Sequence, residues 1–241
     1  MPAQNSPQTL VELRDLRFHW REHTGAVIDI EQLDFNRGEH VFIQGASGSG
    51  KSTLLNIIGG VLVAQQGSVQ VLGQHLSQLS AAQRDRLRAD HIGFIFQQFN
   101  LIPYLSILEN VMIPCRFSRL RLKRSIERSG SVEDEARFLL SHLFDNSGPG
   151  LDRKVTDLSV GQQQRVAAAR ALIGQPALVI ADEPTSSLDF DSRQAFMDLL
   201  FNEVNNSDST LLFVSHDPSH RDQFHRCVDM HEINRHLEAA S

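Results

Sequence analysis

Three features of this chain predict an α/β fold with an antiparallel β subdomain and a helical subdomain. Ala177-Leu178-Val179-Ile180-Ala181 and Thr210-Leu211-Leu212-Phe213-Val214 are continuous apolar runs, the pattern of parallel strands covered on both faces. Gly45-Ala46-Ser47-Gly48-Ser49-Gly50-Lys51-Ser52 has the form G-x-x-x-x-G-K-S. It lies between a short apolar run and a helical pattern, the strand–loop–helix setting of a phosphate-binding turn. The stretch from Asn100 to Val155 lacks such runs and is rich in Leu, Arg, Glu and Ser, which reads as a helical insertion.

The elements follow in order. Val11, Leu13, Leu16 and Phe18, then Val27, Ile28, Ile30 and Leu33, alternate with polar residues and predict an antiparallel strand pair over Leu10 to Asp34. His40-Val41-Phe42-Ile43 reads as a buried strand, and Leu54, Leu55, Ile58, Val61 and Leu62 follow the loop at helical spacing. Gly67 to Gly73 is a short strand bounded by glycines, and Ile92 to Phe96 is a further β-prone run. Ser131 opens a helix with Glu133 and Asp134 in its first turn. That helix continues through Phe138, Leu139 and Leu143 and stops at Asn146-Ser147-Gly148-Pro149-Gly150. There is no repeat, low-complexity tract or coiled-coil heptad.

The 241 residues fit one large α/β domain or two small ones, and 41% hydrophobic residues suffice for a substantial core. A formal net charge of −6 argues against an electrostatically driven nucleic-acid binder. Arg116, Arg119, Arg121, Lys123, Arg124 and Arg128 form one basic run, read first as a solvated helical face and second as a patch for anionic lipid headgroups or protein. Cys115 and Cys227 lie far apart, with no disulfide framework or metal spacing, which fits a reduced cytosolic setting. The polar first ten residues are no signal peptide, and Leu54 to Ala64 is too short to span a bilayer, so the chain reads as soluble. His216, His220, His225, His231 and His236 crowd the C-terminal part. Without matching cysteines or carboxylates they read as surface histidines.

Chemistry concentrates around the loop. Gly45, Gly48 and Gly50 let the backbone curl close to a polyphosphate, with N–H groups pointing inward and a helix N-terminus behind them. Lys51 supplies a charge for the β- and γ-phosphates, and Ser52 a hydroxyl for Mg²⁺. Asp182 ends an apolar run, which places a carboxylate at the C-terminal edge of a strand, where α/β sheets bind ligands. Such an Asp holds Mg²⁺, and Glu183 beside it can polarise an attacking water.

Leu158-Ser159-Val160-Gly161-Gln162 then resembles the signature sequence of the ATP-binding-cassette (ABC) family, and the chain from about Leu10 to Ile233 is similar to that family. Phe94-Ile95-Phe96-Gln97 matches its Q-loop, Ser187-Leu188-Asp189 its D-loop, and His216 its switch histidine. Trp20 stands where the family places an aromatic to stack on adenine. Simple core packing is the other reading of that residue. The resemblance implies a P-loop NTPase core of ABC type: a single nucleotide-binding domain over 1–241, with the ATPase core and β subdomain at 10–96 and 156–241 and the helical subdomain at 97–155.

It also implies the site. ATP and Mg²⁺ are the cofactors. Nucleotide contacts fall to Trp20, Gly45, Ala46, Ser47, Gly48, Ser49, Gly50, Lys51, Ser52 and Thr53. The metal falls to Ser52, Gln97 and Asp182, and catalysis to Glu183, His216 and Gln97. From a second copy of the chain, Ser159, Gly161 and Gln162 cover the γ-phosphate while Asp189 touches the other subunit, giving an ATP-bound homodimer. Position 160 departs from the family pattern: Val160 stands where Gly is usual.

Leu54 to Gly60, Ile92 to Pro103 and Leu108-Glu109-Asn110-Val111 resemble the branch that serves lipoprotein release and macrolide efflux, the MacB/LolD-like branch. This implies an integral membrane permease of FtsX/MacB type as partner, a periplasmic adaptor reached through it, and a peripheral position on the cytoplasmic face of the inner membrane. Phe99, Leu101, Ile102, Pro103 and Tyr104 offer an apolar face for such a permease, or pack inside the insertion. A signalling ATPase that regulates a periplasmic enzyme through a membrane partner, FtsE-like, is the alternative. An ATPase acting on DNA or ribosomes fits poorly, given one phosphate loop, no heptads and an acidic balance.

Overall fold

The computed structural model describes residues 8–20, 27–144, 150–186, 188 and 190–238. The chain packs as two compact units. The first runs to Asp85 and resumes at Thr210; the second comprises Arg86–Ser209. Helix α2 (Ala81–His91) carries the chain from the first into the second.

In the first unit β1 (Thr9–Phe18) and β2 (Ile28–Asn36) pair antiparallel, with Leu13 opposite Leu33 and Leu16 opposite Ile30. On its other side β1 pairs antiparallel with β4 (Gln66–Val71), which forms a hairpin with β5 (Gln74–His75). Strict alternation would put Leu13 and Leu16 on opposite faces, yet both are buried. Asp15 between them takes a left-handed φ of 49°, and the β1–β4 register shifts over the same stretch, which re-aims the strand. A parallel layer holds β3 (His40–Gln44) between β8 (Thr210–Val214) and β9 (Arg226–Asp229). Val41, Phe42 and Ile43 are fully buried, as their continuous apolar run requires. Helix α1 (Lys51–Ile58) leaves the loop after β3, and α8 (Met230–Ile233) and α9 (Arg235–Glu238) follow β9.

In the second unit β6 (Ile92–Ile95) runs parallel to β7 (Leu178–Asp182). Between them in sequence come α3 (Ile107–Phe117), α4 (Arg119–Ser129), α5 (Val132–Leu143) and α6 (Val160–Leu172); α7 (Phe190–Asn206) follows β7. The helix starts are written in the sequence. Ser106 and Glu109 form a reciprocal capping box on α3, and Ser118 and Ser131 cap α4 and α5. The stop expected at Asn146–Gly150 falls, up to Pro149, outside the described residues.

Helix α6 approaches β6 closely. A β-carbon on Gly93 would lie 2.3 Å from the Ala171 carbonyl oxygen, so the strand must carry glycine there. Arg121 of α4 closes the same junction. It is fully buried and donates to the carbonyls of Ala171 (3.1 Å), Ile173 (3.2 Å) and Ile92 (2.6 Å). Burial lowers its pKa to about 10, which leaves it a cation at neutral pH.

The basic run therefore divides. Arg121 is bonded inside the core, Arg124 donates to the Gln175 carbonyl (2.7 Å), and Arg128 pairs with Glu135 (3.1 Å) and Glu203 (3.2 Å). This corrects the reading of one uniformly solvated helical face: half of the run braces the second unit. The reading of surface histidines is also corrected at His220, which is buried, as is His40 near the N-terminal half of the chain.

Arg121→Met would keep the side-chain volume but strip three carbonyls of their donor. The expected loss is about 2–4 kcal/mol of stability, read as a lower midpoint in urea unfolding.

Candidate functional site

The phosphate loop belongs to the first unit. Strand β3 ends at Gln44 and α1 begins at Lys51. A β-carbon on Gly45 would come within 2.7 Å of Ser49 Oγ and 2.9 Å of Met230 Cβ, so only glycine fits. Gly50 precedes α1 at φ 95° and brings no side chain to cap the helix. The first-turn N–H groups of α1 at Lys51, Ser52 and Thr53 are thus left for an anion. Lys51 is buried, and its Nζ donates to the carbonyls of Gly45 (2.8 Å) and Ala46 (2.9 Å). These two bonds fix the ammonium over the loop that also carries Ser47 and Gly48. Ser52 is exposed beside it.

The loop has a brace that the sequence did not reveal. Asn234, fully buried, donates from Nδ2 to the carbonyls of Val27 (2.9 Å) and Ser49 (3.3 Å) and accepts at Oδ1 from the Asp29 N–H (2.8 Å). Gln44, just before the loop, donates to Asp229 (2.8 Å). Met230 packs under Gly45. All three partners come from the C-terminal segment, where no motif marked them. Sequence offers no signal for Asn234, because its partners at 27, 29 and 49 are distant in the chain.

Two further expected residues lie in this unit. His216 follows β8, whose Val214 pairs with Ile43 of β3, so it leaves the parallel layer at the edge where the loop begins. The Ser215 N–H donates to the Ile43 carbonyl at 3.3 Å. Trp20 is 60% exposed and stands edge-on to Phe18, with ring centroids 5.2 Å apart. The alternative of core packing fails for Trp20, whose ring is largely exposed over the buried Phe18.

The carboxylates belong to the second unit. Ile95 of β6 pairs with Ala181 of β7, so Gln97, Asp182 and Glu183 emerge at the same strand edge. Glu183 takes a left-handed φ of 45°, an unfavourable backbone state for a residue with a side chain. Phe99 (φ 57°) and Asn100 (φ 50°), just after Gln97, do the same. Arg170 of α6 holds that turn by donating to the carbonyls of Phe99 (2.5 Å) and Asn100 (2.6 Å).

Helix α6 carries the other expected group at its opposite end. Ser159 caps it: its Oγ accepts from the Gln162 N–H (3.3 Å) and its N–H donates to Gln162 Oε1 (3.0 Å). Ser159 is exposed, and Val160 is 48% exposed at the tip. Near Gly161 an added β-carbon would meet only Leu188 Cδ2, at 3.4 Å, which is ordinary contact. The chain's own packing thus sets little demand for glycine at 161. Ser187 and Asp189 lie outside the described residues.

Neither cysteine is primed as a nucleophile. Burial raises the pKa of both Cys115 and Cys227. Among the described residues no group of three or more His, Cys, Asp and Glu side chains is arranged to hold a metal, and no helix is long and apolar enough to cross a membrane.

Comparison with known proteins adds four observations. A family model described as ABC transporter matches residues 29–186. The chain is 40% identical over 230 residues, 95% of each chain, to YbbA of Escherichia coli, named as an uncharacterized ABC transporter ATP-binding protein. It is 38% identical over 236 residues to LolD of Pseudomonas syringae pv. tomato, the ATP-binding protein of a lipoprotein-releasing system. That match covers 97% of this chain and all of LolD. A solved dimer of the ATP-binding cassette MJ0796, in a post-hydrolysis state with ADP and Pi, matches at TM-score 0.78 and 34% identity over 91% of this chain and 94% of that one.

Asn234→Ala should weaken nucleotide binding about tenfold or less while lowering stability by about 1–3 kcal/mol, since it strands three backbone groups. Titration calorimetry and thermal unfolding read the two effects separately.

Proposed function

The chain belongs to the ABC transporter family and is an ATPase cassette, and on that premise we propose that two copies close around ATP to drive a membrane permease of FtsX/MacB type. One observation carries the reading. The Ser159-capped tip of α6 is exposed, and Gly161 is not demanded by the chain's own packing. A glycine at a helix tip that nothing internal requires suits a backbone approached from outside by an anion. The dimeric cassette MJ0796 supports the same arrangement by likeness.

In this reading the loop from Gly45 to Thr53 grips the phosphates of ATP, with Lys51 as the charge on the β- and γ-phosphates. Ser159, Gly161 and Gln162 of the second copy cover the γ-phosphate. Trp20 stacks on adenine, and Asp189 contacts the other subunit. Glu183 accepts a proton from the attacking water. His216 and Gln97 hold that water and the γ-phosphate in place.

Ser52, Asp182 and Gln97 would hold Mg²⁺ through side-chain oxygens, the ligand type this hard cation prefers. When bound, Mg²⁺ would neutralise charge on the phosphates.

The permease partner is supported by a concavity of about 350 Å³ within the second unit, lined by Phe94, Phe96, Ile113, Pro114 and Phe117 among others. None of Phe99, Leu101, Ile102, Pro103 and Tyr104, the apolar face expected from sequence, lines it; Asn100 among them does. Phe94 and Phe96 stack at 5.3 Å, one residue before Gln97, so a helix seated there would press on the turn that Arg170 holds. The protein would then sit on the cytoplasmic face of the membrane without spanning it, and an adaptor would reach it only through the permease.

Glu183→Gln should stall hydrolysis and yield an ATP-dependent dimer with twice the mass of one chain in light scattering. Lys51→Ala in the same background should abolish it. A Glu183→Gln protein that stays monomeric at saturating ATP and Mg²⁺ would count against the two-copy site.

A further inference from the structure

Three of the six basic side chains between Arg116 and Arg128 lie on the surface of the second unit and do not brace its core. Arg116, Arg119 and Lys123 are exposed. They share the surface with three large apolar side chains: Phe117 is 71%, Ile126 47% and Leu122 37% exposed. On α4, positions 119, 122, 123 and 126 recur at helical spacing and form one stripe, while Arg121 and Ser125 point into the core from the other side. Phe117 and Arg116 end α3, and the extended Ser118 separates them from the stripe.

A solvated helix face carries charges without large apolar groups. Here the two kinds interleave, on a protein whose net charge is −6. Long cationic side chains can reach past apolar neighbours to phosphate, while Leu122 and Ile126 enter the boundary between headgroups and acyl chains. Glu127 lies 3.5 Å from Lys123, and Arg116 stands within electrostatic reach of Glu109, so the three cations outnumber the acids set against them.

We propose that this α3–α4 face is a lipid-contact surface, which lies against the anionic headgroups of a bilayer. It needs no permease contact. For a chain already held at a membrane it would act as a second, weak attachment that sets how the second unit faces the bilayer. Charge complementarity favours anionic lipid over a protein partner: Arg119, Leu122, Lys123 and Ile126 do not line the concavity proposed for the permease, which Phe117 borders.

Co-sedimentation of the whole chain with phosphatidylcholine vesicles, with and without phosphatidylglycerol, tests this. Binding should be about tenfold stronger with phosphatidylglycerol and should fall as salt is raised. Arg119→Glu with Lys123→Glu should remove that preference, and Leu122→Ser with Ile126→Ser should weaken binding to anionic vesicles. Both double variants should keep wild-type ATPase activity and thermal unfolding. Equal binding to both vesicle types, absence of binding to either, or charge-reversed variants that bind as well as wild type would each overturn the proposal. So would a defect seen only with permease reconstituted in neutral lipid, since that would make the face a protein contact.

Discussion

Helix α6 ends with the carbonyls of Ala171 and Ile173 aimed at the buried Arg121 guanidinium, and much of the second unit is arranged around that bond. A helix C-terminus carries partial negative charge, and burying it against apolar side chains would be costly. A guanidinium offers five donors in a fixed plane and answers several carbonyls at once. The same cation reaches the Ile92 carbonyl at the start of β6, so one side chain ties helix to strand. With its C-terminal end fixed, α6 behaves as a rod. Arg170 near that end grips the turn after Gln97, while Ser159 at the far end presents the exposed tip. Movement of the turn and movement of the tip then have a rigid connection within one packed unit.

The parallel strands and the phosphate loop were legible because their signals are local. Leu178–Ala181 and Leu211–Val214 have no polar residue to contradict burial, and Gly45, Gly50 and Lys51 occupy positions that chemistry restricts to few residue types. The helix start at Ser131 was legible for the same reason, because a cap is a bond between neighbours. What sequence missed depends on distant partners. Asn234 reads as an ordinary polar residue until Val27, Asp29 and Ser49 surround it. Arg121, Arg124 and Arg128 look identical to Arg116 and Arg119 in a string of letters. Only the angle around α4 separates bracing from exposure. The backbone state at Asp15, which re-aims β1, likewise leaves no mark in composition.

The site is built from strained or crowded positions within otherwise regular elements. Glu183, Phe99 and Asn100 all sit in left-handed conformations at strand edges, where β-structure gives way to turns. Such positions persist only if their surroundings over-determine them. For Phe99 and Asn100 the surroundings are known: two donors from Arg170. This makes the turn a supported loop and explains how it can hold a defined shape beside a concavity that a partner would fill.

The bond from Asn234 to Ser49 spans 185 residues of chain. At ordinary rates of translation that separation corresponds to roughly 10–40 s. For that interval the glycine-rich turn exists as peptide without its keystone, and β9 is not there to flank β3. The capacity to hold a triphosphate is therefore acquired late in biosynthesis, and a ribosome that stalls before Met230 releases a product with the motif intact and the grip unfinished.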